Sequence, residues 1–209
     1  RNIDALLLDS VPVLIMGMAS IGGPATAAYF RIAQRLLRMP LMLLQGISRT
    51  AVPAFAELSV LRDGSALRRL FYKATIGGGA MISSGIIATV LVLPWVVDHF
   101  FPSGYAEPVA HFSYLLAAGF ISTAFSGVFE SFYLATNQVH IALRIGTVLS
   151  LPVLAAMYFG GVYFGPSGVA IGLSLGFSTG IVHHIYIYRF FRKRNWNSKV
   201  KLAEGGAAK

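Results

Sequence analysis

The chain has 209 residues, 56% of them hydrophobic and 12% charged, with a mean hydropathy of +0.67 and a formal net charge of +9. Soluble domains carry about 25% charged residues, so half that share leaves too little polar surface for a water-soluble globule. This argues against the soluble enzyme classes, and the absence of cysteine excludes disulfides, thiolate metal sites and cysteine nucleophiles.

Marking every charged residue and histidine leaves four uncharged tracts, at 10–30, 74–97, 112–129 and 145–182. None shows the alternation of a barrel strand. Lipid offers the backbone no hydrogen-bond partners, so each tract is expected to be helical. At about 20 residues per span, the last tract is too long for one helix. Gly160-Gly161 and Gly165-Pro166-Ser167-Gly168 punctuate it, which predicts two helices and a tight hairpin. The segment 24–58 is apolar in bulk but carries four arginines, and Pro24 suits its first turn. Pro40 predicts a kink inside it. The expected fold is all-α: a polytopic membrane bundle of six helices, at about 4–22, 24–58, 72–99, 107–136, 141–164 and 165–190. Residues 1–194 would form one transmembrane lobe, and 195–209 a disordered cytoplasmic tail.

Orientation follows from the basic residues. Arg62, Arg68, Arg69 and Lys73 follow the second predicted span, Arg144 the fourth, and Arg189, Arg192, Lys193 and Arg194 the sixth. The alternate loops, 21–23, 100–106 and 160–165, carry no Lys or Arg. The positive-inside rule then puts both ends in the cytoplasm, and the net charge calls for no nucleic acid. The chain opens on Arg1 rather than Met, and no stretch of it reads as a cleavable signal peptide. A preceding segment holding half of the working site is expected.

The most informative feature is the arginine set of the second predicted helix. At 100° per residue, Arg31, Arg35, Arg38 and Arg49 fall at about 0°, 40°, −20° and 0°, with Gln34 and Gln45 at about −60° and −40°. These six residues share a stripe about 100° wide and about 27 Å long, close to the hydrocarbon thickness. Charge at that depth is costly against lipid, so the stripe should face protein or water. A row of guanidinium groups suits phosphate or carboxylate. The competing interpretation is interfacial placement, with Arg49 snorkelling from one end.

Asp9 and Glu130 are candidates for ion coupling, against a structural ion pair or a helix-end position. Asp98, His99 and His111 flank a loop in no zinc-binding pattern, and His183-His184 fall near a helix end. Gly77-Gly78-Gly79 lacks the Lys and Ser/Thr of a phosphate loop and suits close helix packing. No catalytic constellation, metal site or cofactor is expected.

The run Gly22-Gly23-Pro24-Ala25-Thr26-Ala27-Ala28-Tyr29-Phe30-Arg31-Ile32-Ala33, and the later Ala51-Val52-Pro53-Ala54-Phe55-Ala56-Glu57-Leu58, resemble one long helix of the polysaccharide flippases of the MOP superfamily. The 100–105 loop, the Leu134-Ala135-Thr136-Asn137-Gln138 turn and the 164–170 hairpin follow in the family's order. Phe101-Pro102-Ser103-Gly104 departs from its plainer pattern before the tyrosine. The resemblance implies a two-lobed transporter of about twelve or more helices, with this chain as its C-terminal six. It further implies a bacterial inner-membrane protein that moves undecaprenyl-pyrophosphate-linked oligosaccharide, of O-antigen or exopolysaccharide type, by alternating access. Arg31, Arg35 and Arg49 would meet the pyrophosphate. The implied partners are that lipid-linked sugar, the bilayer, the N-terminal lobe and polysaccharide-assembly proteins such as a polymerase. The alternatives are a multidrug or lipid-linked peptidoglycan-precursor exporter of the same superfamily, and a membrane enzyme of polysaccharide assembly. Cation export would call for carboxylates and aromatics where arginines dominate. An enzyme would rest on Asp98, His99, Glu107 and His111, the cluster closest to a catalytic set.

Overall fold

The computed structural model describes residues 3–18, 20–61 and 63–193, and the side chains of 10–18, 20–61 and 63–192. Every regular element among them is helical: α1 (Ile3–Gly17), α2 (Gly23–Val60), α3 (Gly64–Lys73), a π-helical turn (Ala74–Gly78), α4 (Gly79–Phe100), α5 (Ala106–Ser126), α6 (Phe129–Ala135), α7 (Val139–Phe177) and α8 (Gly180–Lys193). Three continuous runs are long and apolar enough to cross a membrane: 64–100, 106–135 and 139–192.

Local chemistry sets the boundaries. Gly23 takes φ +79°, which glycine adopts without steric cost, and Pro24 opens α2 where its missing N–H leaves no bond unmade. α2 then runs unbroken through Pro40 and Pro53 for 38 residues. Asp63 caps α3, its Oδ1 accepting from the Ala66 N–H at 2.9 Å. Asn137 at φ 55° ends α6, and the Gln138 N–H reaches back to the Tyr133 carbonyl at 2.8 Å.

The predicted helix at 72–99 is corrected at its start. The helical run begins at 64, and its first part, α3, is amphipathic, burying Leu67 and Phe71 and exposing Arg68, Arg69 and Lys73 before the π-helical turn leads into α4. The predicted 107–136 helix is interrupted by a turn at Gly127-Val128, where the Gly127 carbonyl accepts from the Ser48 hydroxyl of α2 at 2.7 Å. The first helix ends at Gly17, short of the expected 22. The 195–209 tail lies outside the described residues. The hairpin expected at 160–168 is present. Gly165 (φ 62°, ψ −152°) reverses the chain inside α7, so that Gly172 lies against Met157 and Gly176 against Val153.

α5 lies at the centre, packed against α2, α4 and α7, and α1 bridges α2 and α7. Two cores result. The larger includes Phe30, Leu37, Ile82, Leu116 and Phe120. The second joins the end of α2 to α3, α6 and α8 through Phe55, Phe71, Phe132 and Phe191. Arg68, Arg69, Lys73, Arg189 and Arg192 are exposed on α3 and α8, which this second core holds together. One end of the bundle is therefore basic. The other carries the Tyr29–Tyr105 edge contact at 4.8 Å and the His111–Ser167 hydrogen bond at 2.9 Å.

Candidate functional site

The arginine stripe lies where α2 turns from the bundle to the surface. Ala33, Leu37 and Leu44 face inward at about −160° to −120° on the wheel on which Arg31 is 0°. The stripe, centred near 0°, is thus more than a third of a turn from these residues. The structure divides it accordingly. Gln34, at the inward edge, is wholly buried, and Arg31 donates through Nη1 to its Oε1 at 2.9 Å. Arg31 and Arg38 are half-buried, whereas Arg35, Gln45 and Arg49 are exposed. The stripe therefore has an inner polar pair and an outer cationic row.

Sequence reasoning missed what lies between the outer arginines. Met39, Met42 and Leu43 are exposed beside them, with Met42 at about 20°, inside the stripe itself. The exposed face of α2 is a mixed surface, cationic and apolar. Gly46 and Thr50, both small and exposed, complete it. Such a surface can hold an anion through its guanidinium groups and an apolar body through methionine, whose flexible thioether fits irregular partners.

The carboxylates fall elsewhere. The Asp9 side chain lies outside the described residues. Glu130 sits on α6 in the wall of a lateral cavity of about 480 Å³, bounded by α5, α6, α7 and α8. No residue of α2 lines that cavity, so Glu130 and the arginine stripe belong to separate sites. His183 lines the cavity as well, and the Tyr133 hydroxyl lies 3.1 Å from its Nδ1. No local pattern in the sequence signals this pairing, which spans 50 residues.

The histidines of the opposite end have local partners. His99 stacks on Trp95 at 5.7 Å, and His111 bonds Ser167. Among the described residues, no three His, Asp or Glu are grouped to hold a metal ion. Of Gly77-Gly78-Gly79 the last two serve packing and Gly77 faces open space: Gly78 lies by Ile47, and the Phe125 ring occupies the space a side chain at Gly79 would take.

No protein-family model matches the sequence, and no curated protein matches it. The fold is similar to that of a multidrug resistance MATE family transporter of the MOP superfamily, solved in an inward-facing conformation. The TM-score is 0.76 at 17% sequence identity, over 91% of this chain and 44% of that one. At that identity the likeness is one of fold. The chain spans less than half the length of the transporter it matches.

Proposed function

We propose that this chain is the C-terminal lobe of a two-lobed MOP-type transporter, crossing a bacterial inner membrane six times with both ends cytoplasmic. Its six crossings would be α1, α2, α4, α5 with α6, and the two arms of the α7 hairpin, the second continued by α8. The match to less than half of a MATE transporter supports a lobe. The collection of basic residues at one bundle end supports the orientation.

The proposed substrate is a lipid-linked oligosaccharide carrying a pyrophosphate, translocated by alternating access between this lobe and an N-terminal one. The observation that carries this is the exposed face of α2, with Arg35 and Arg49 on either side of Met42. Guanidinium groups suit the pyrophosphate, and the methionine suits the isoprenoid carbons beside it. Ion coupling through Asp9 or Glu130 stays a separate proposal, since Glu130 opens on the lateral cavity rather than on the α2 face. The test is flipping of a lipid-linked oligosaccharide in proteoliposomes by the full-length protein, compared with an Arg35→Glu/Arg49→Glu variant. Equal flipping by both would reject the substrate.

A second reading, export of cationic drugs, draws on the likeness in fold to a multidrug resistance transporter. It predicts that the same double variant exports organic cations better, because two positive charges are removed and two negative charges added. Drug accumulation in cells separates the two readings.

A further inference from the structure

The lateral cavity is elongated. The residues of α7 that line it recur at three- and four-residue steps from Val139 through Gly146 to Met157, which is about 27 Å of helix. Its volume of about 480 Å³ equals roughly sixteen water molecules at ~30 Å³ each. A single hydrocarbon chain of about that many methylene groups has a similar volume.

Three of the four Ser and Thr hydroxyls in the wall are taken up by backbone carbonyls. Thr123 Oγ1 donates to the Gly119 carbonyl, Ser126 Oγ to that of Ser122 and Ser150 Oγ to that of Thr147. Each of these three is thus turned to its own helix, which leaves water fewer partners. The ionisable groups of the wall are Glu130 and Tyr133 on α6 and His183 on α8, with the Tyr133 hydroxyl 3.1 Å from His183 Nδ1. They lie toward the basic end of the bundle, where α6 and α8 join the second core. Yet no Lys or Arg is among the lining residues, and Arg144 falls on the far side of α7. Glu130 is the one carboxylate in the wall and is exposed.

We propose that this groove binds an aminophospholipid, one acyl chain lying along α7 between 139 and 157 and the ammonium of its head on the Glu130 carboxylate. The apolar wall accounts for the chain. The lone carboxylate accounts for the head, attracting an ammonium and repelling an anionic head such as that of phosphatidylglycerol. The inference rests on α7 spanning the membrane and is independent of the transported substrate.

The test uses the full-length protein in nanodiscs containing equal phosphatidylethanolamine and phosphatidylglycerol, with retained lipid read by native mass spectrometry. Wild type should retain phosphatidylethanolamine about two- to fivefold over phosphatidylglycerol, the worth of one partly exposed ion pair. Glu130→Gln should abolish the preference while leaving a lipid bound. Gly146→Trp, which fills the groove, should lower retention of both lipids, and Leu151→Trp on the opposite face should not. Should Gly146→Trp fail to fold, Ala142→Leu takes its place. Phosphatidylethanolamine with a diazirine in its acyl chain maps the site independently, and adducts should concentrate at 143–154. Adducts spread evenly over the helices, adducts absent from α7, or an equal preference in wild type and Glu130→Gln would each overturn the proposal.

Discussion

Gly160 and Gly168 meet backbone to backbone across the α7 hairpin. A Cβ on Gly160 would stand 2.6 Å from the Gly168 carbonyl oxygen, and one on Gly168 would collide with the Gly160 carbonyl. The contact repeats down the hairpin, where a Cβ on Gly172 would lie 2.8 Å from the Met157 Cα. Association of helices in lipid depends on such close backbone approach, because lipid supplies no hydrophobic drive between apolar helices.

Gly168→Ala and Gly172→Ala should therefore destabilise the fold by about 1–3 kcal/mol each through overpacking against rigid backbone. Gly46→Ala is the contrast. It sits mid-helix with no neighbour within 4 Å, so the helix propensity gain of about 1 kcal/mol should stabilise it. Thermal unfolding in detergent should lower the midpoint for the first two and not for the third. Equal midpoints for all three would mean that the arms are not packed this closely.

The cap of α3 makes a pH-dependent prediction. The Asp63 carboxylate accepts from the Ala66 N–H at 2.9 Å and the Ser65 hydroxyl at 2.8 Å, and these bonds hold its pKa below the ordinary 3.8. A carboxyl group with a depressed folded-state pKa contributes stability that is complete above its unfolded value and is lost as pH falls through the folded one. Amide protection in α3 should thus be flat through neutral pH and decline only in strong acid, below about pH 3.8. Asp63→Asn should remove that acid decline while retaining much of the cap, and Asp63→Ala should lose protection at every pH. Hydrogen exchange of α3 amides checks both.

Much of the architecture is legible where backbone chemistry is local. The second helix, expected at 24–58 and found at 23–60, is fixed by Pro24 at its start. The hairpin at Gly165 is legible because only glycine accepts that φ/ψ pair cheaply. α3 carries a signal that its cluster of charges masks: Leu67 and Phe71 four residues apart, with Asp63 placed as a cap. The turn at Gly127 carries none, because the hydroxyl that its carbonyl accepts from, Ser48, belongs to another helix. The split of the arginine stripe is invisible for a related reason. Angles on a wheel show that Arg31 and Arg35 share a side, but only the position of the bundle shows which is half-covered. The lateral cavity, assembled from residues 123 to 183, is wholly tertiary.

Topology is directly testable because the chain has no cysteine. Ser103 lies in the loop between α4 and α5, at the end whose loops carry no Lys or Arg, and Ser65 lies on α3 at the basic end; both are exposed. Single cysteines at these positions in the full-length protein should separate cleanly. Ser103→Cys should react with an impermeant maleimide from outside the cell, and Ser65→Cys only after the membrane is opened. The reverse pattern would invert the proposed orientation, and labelling of both from outside would remove the spanning assignment between them.

The arginines of α2 should not behave alike, and the difference tests the proposed substrate more sharply than their shared charge does. Arg35 and Arg49 are exposed, 14 residues or about 21 Å apart along the helix. Replacing either should leave folding intact. If each guanidinium contacts a phosphate group as the substrate moves, its loss should weaken binding by about 1.5–3 kcal/mol, roughly ten- to hundredfold. Lysine would restore the charge without the bidentate fork and should recover part of the function. Glutamate should do worst, since it repels the anion. Arg31 is different, because its Nη1 bonds the wholly buried Gln34 at 2.9 Å. Arg31→Ala removes one of the partners of that buried amide, at a cost of about 1–3 kcal/mol, and should lower the amount of folded protein as well as export. Arg31→Ala/Gln34→Leu, which replaces the buried amide with an apolar side chain, should recover folded protein but not export. The measurements are polysaccharide export and membrane protein level for each variant in the full-length transporter. Normal export by Arg35→Glu and Arg49→Glu at wild-type protein levels would leave the stripe a structural feature of α2 and would remove the anionic substrate from the proposal.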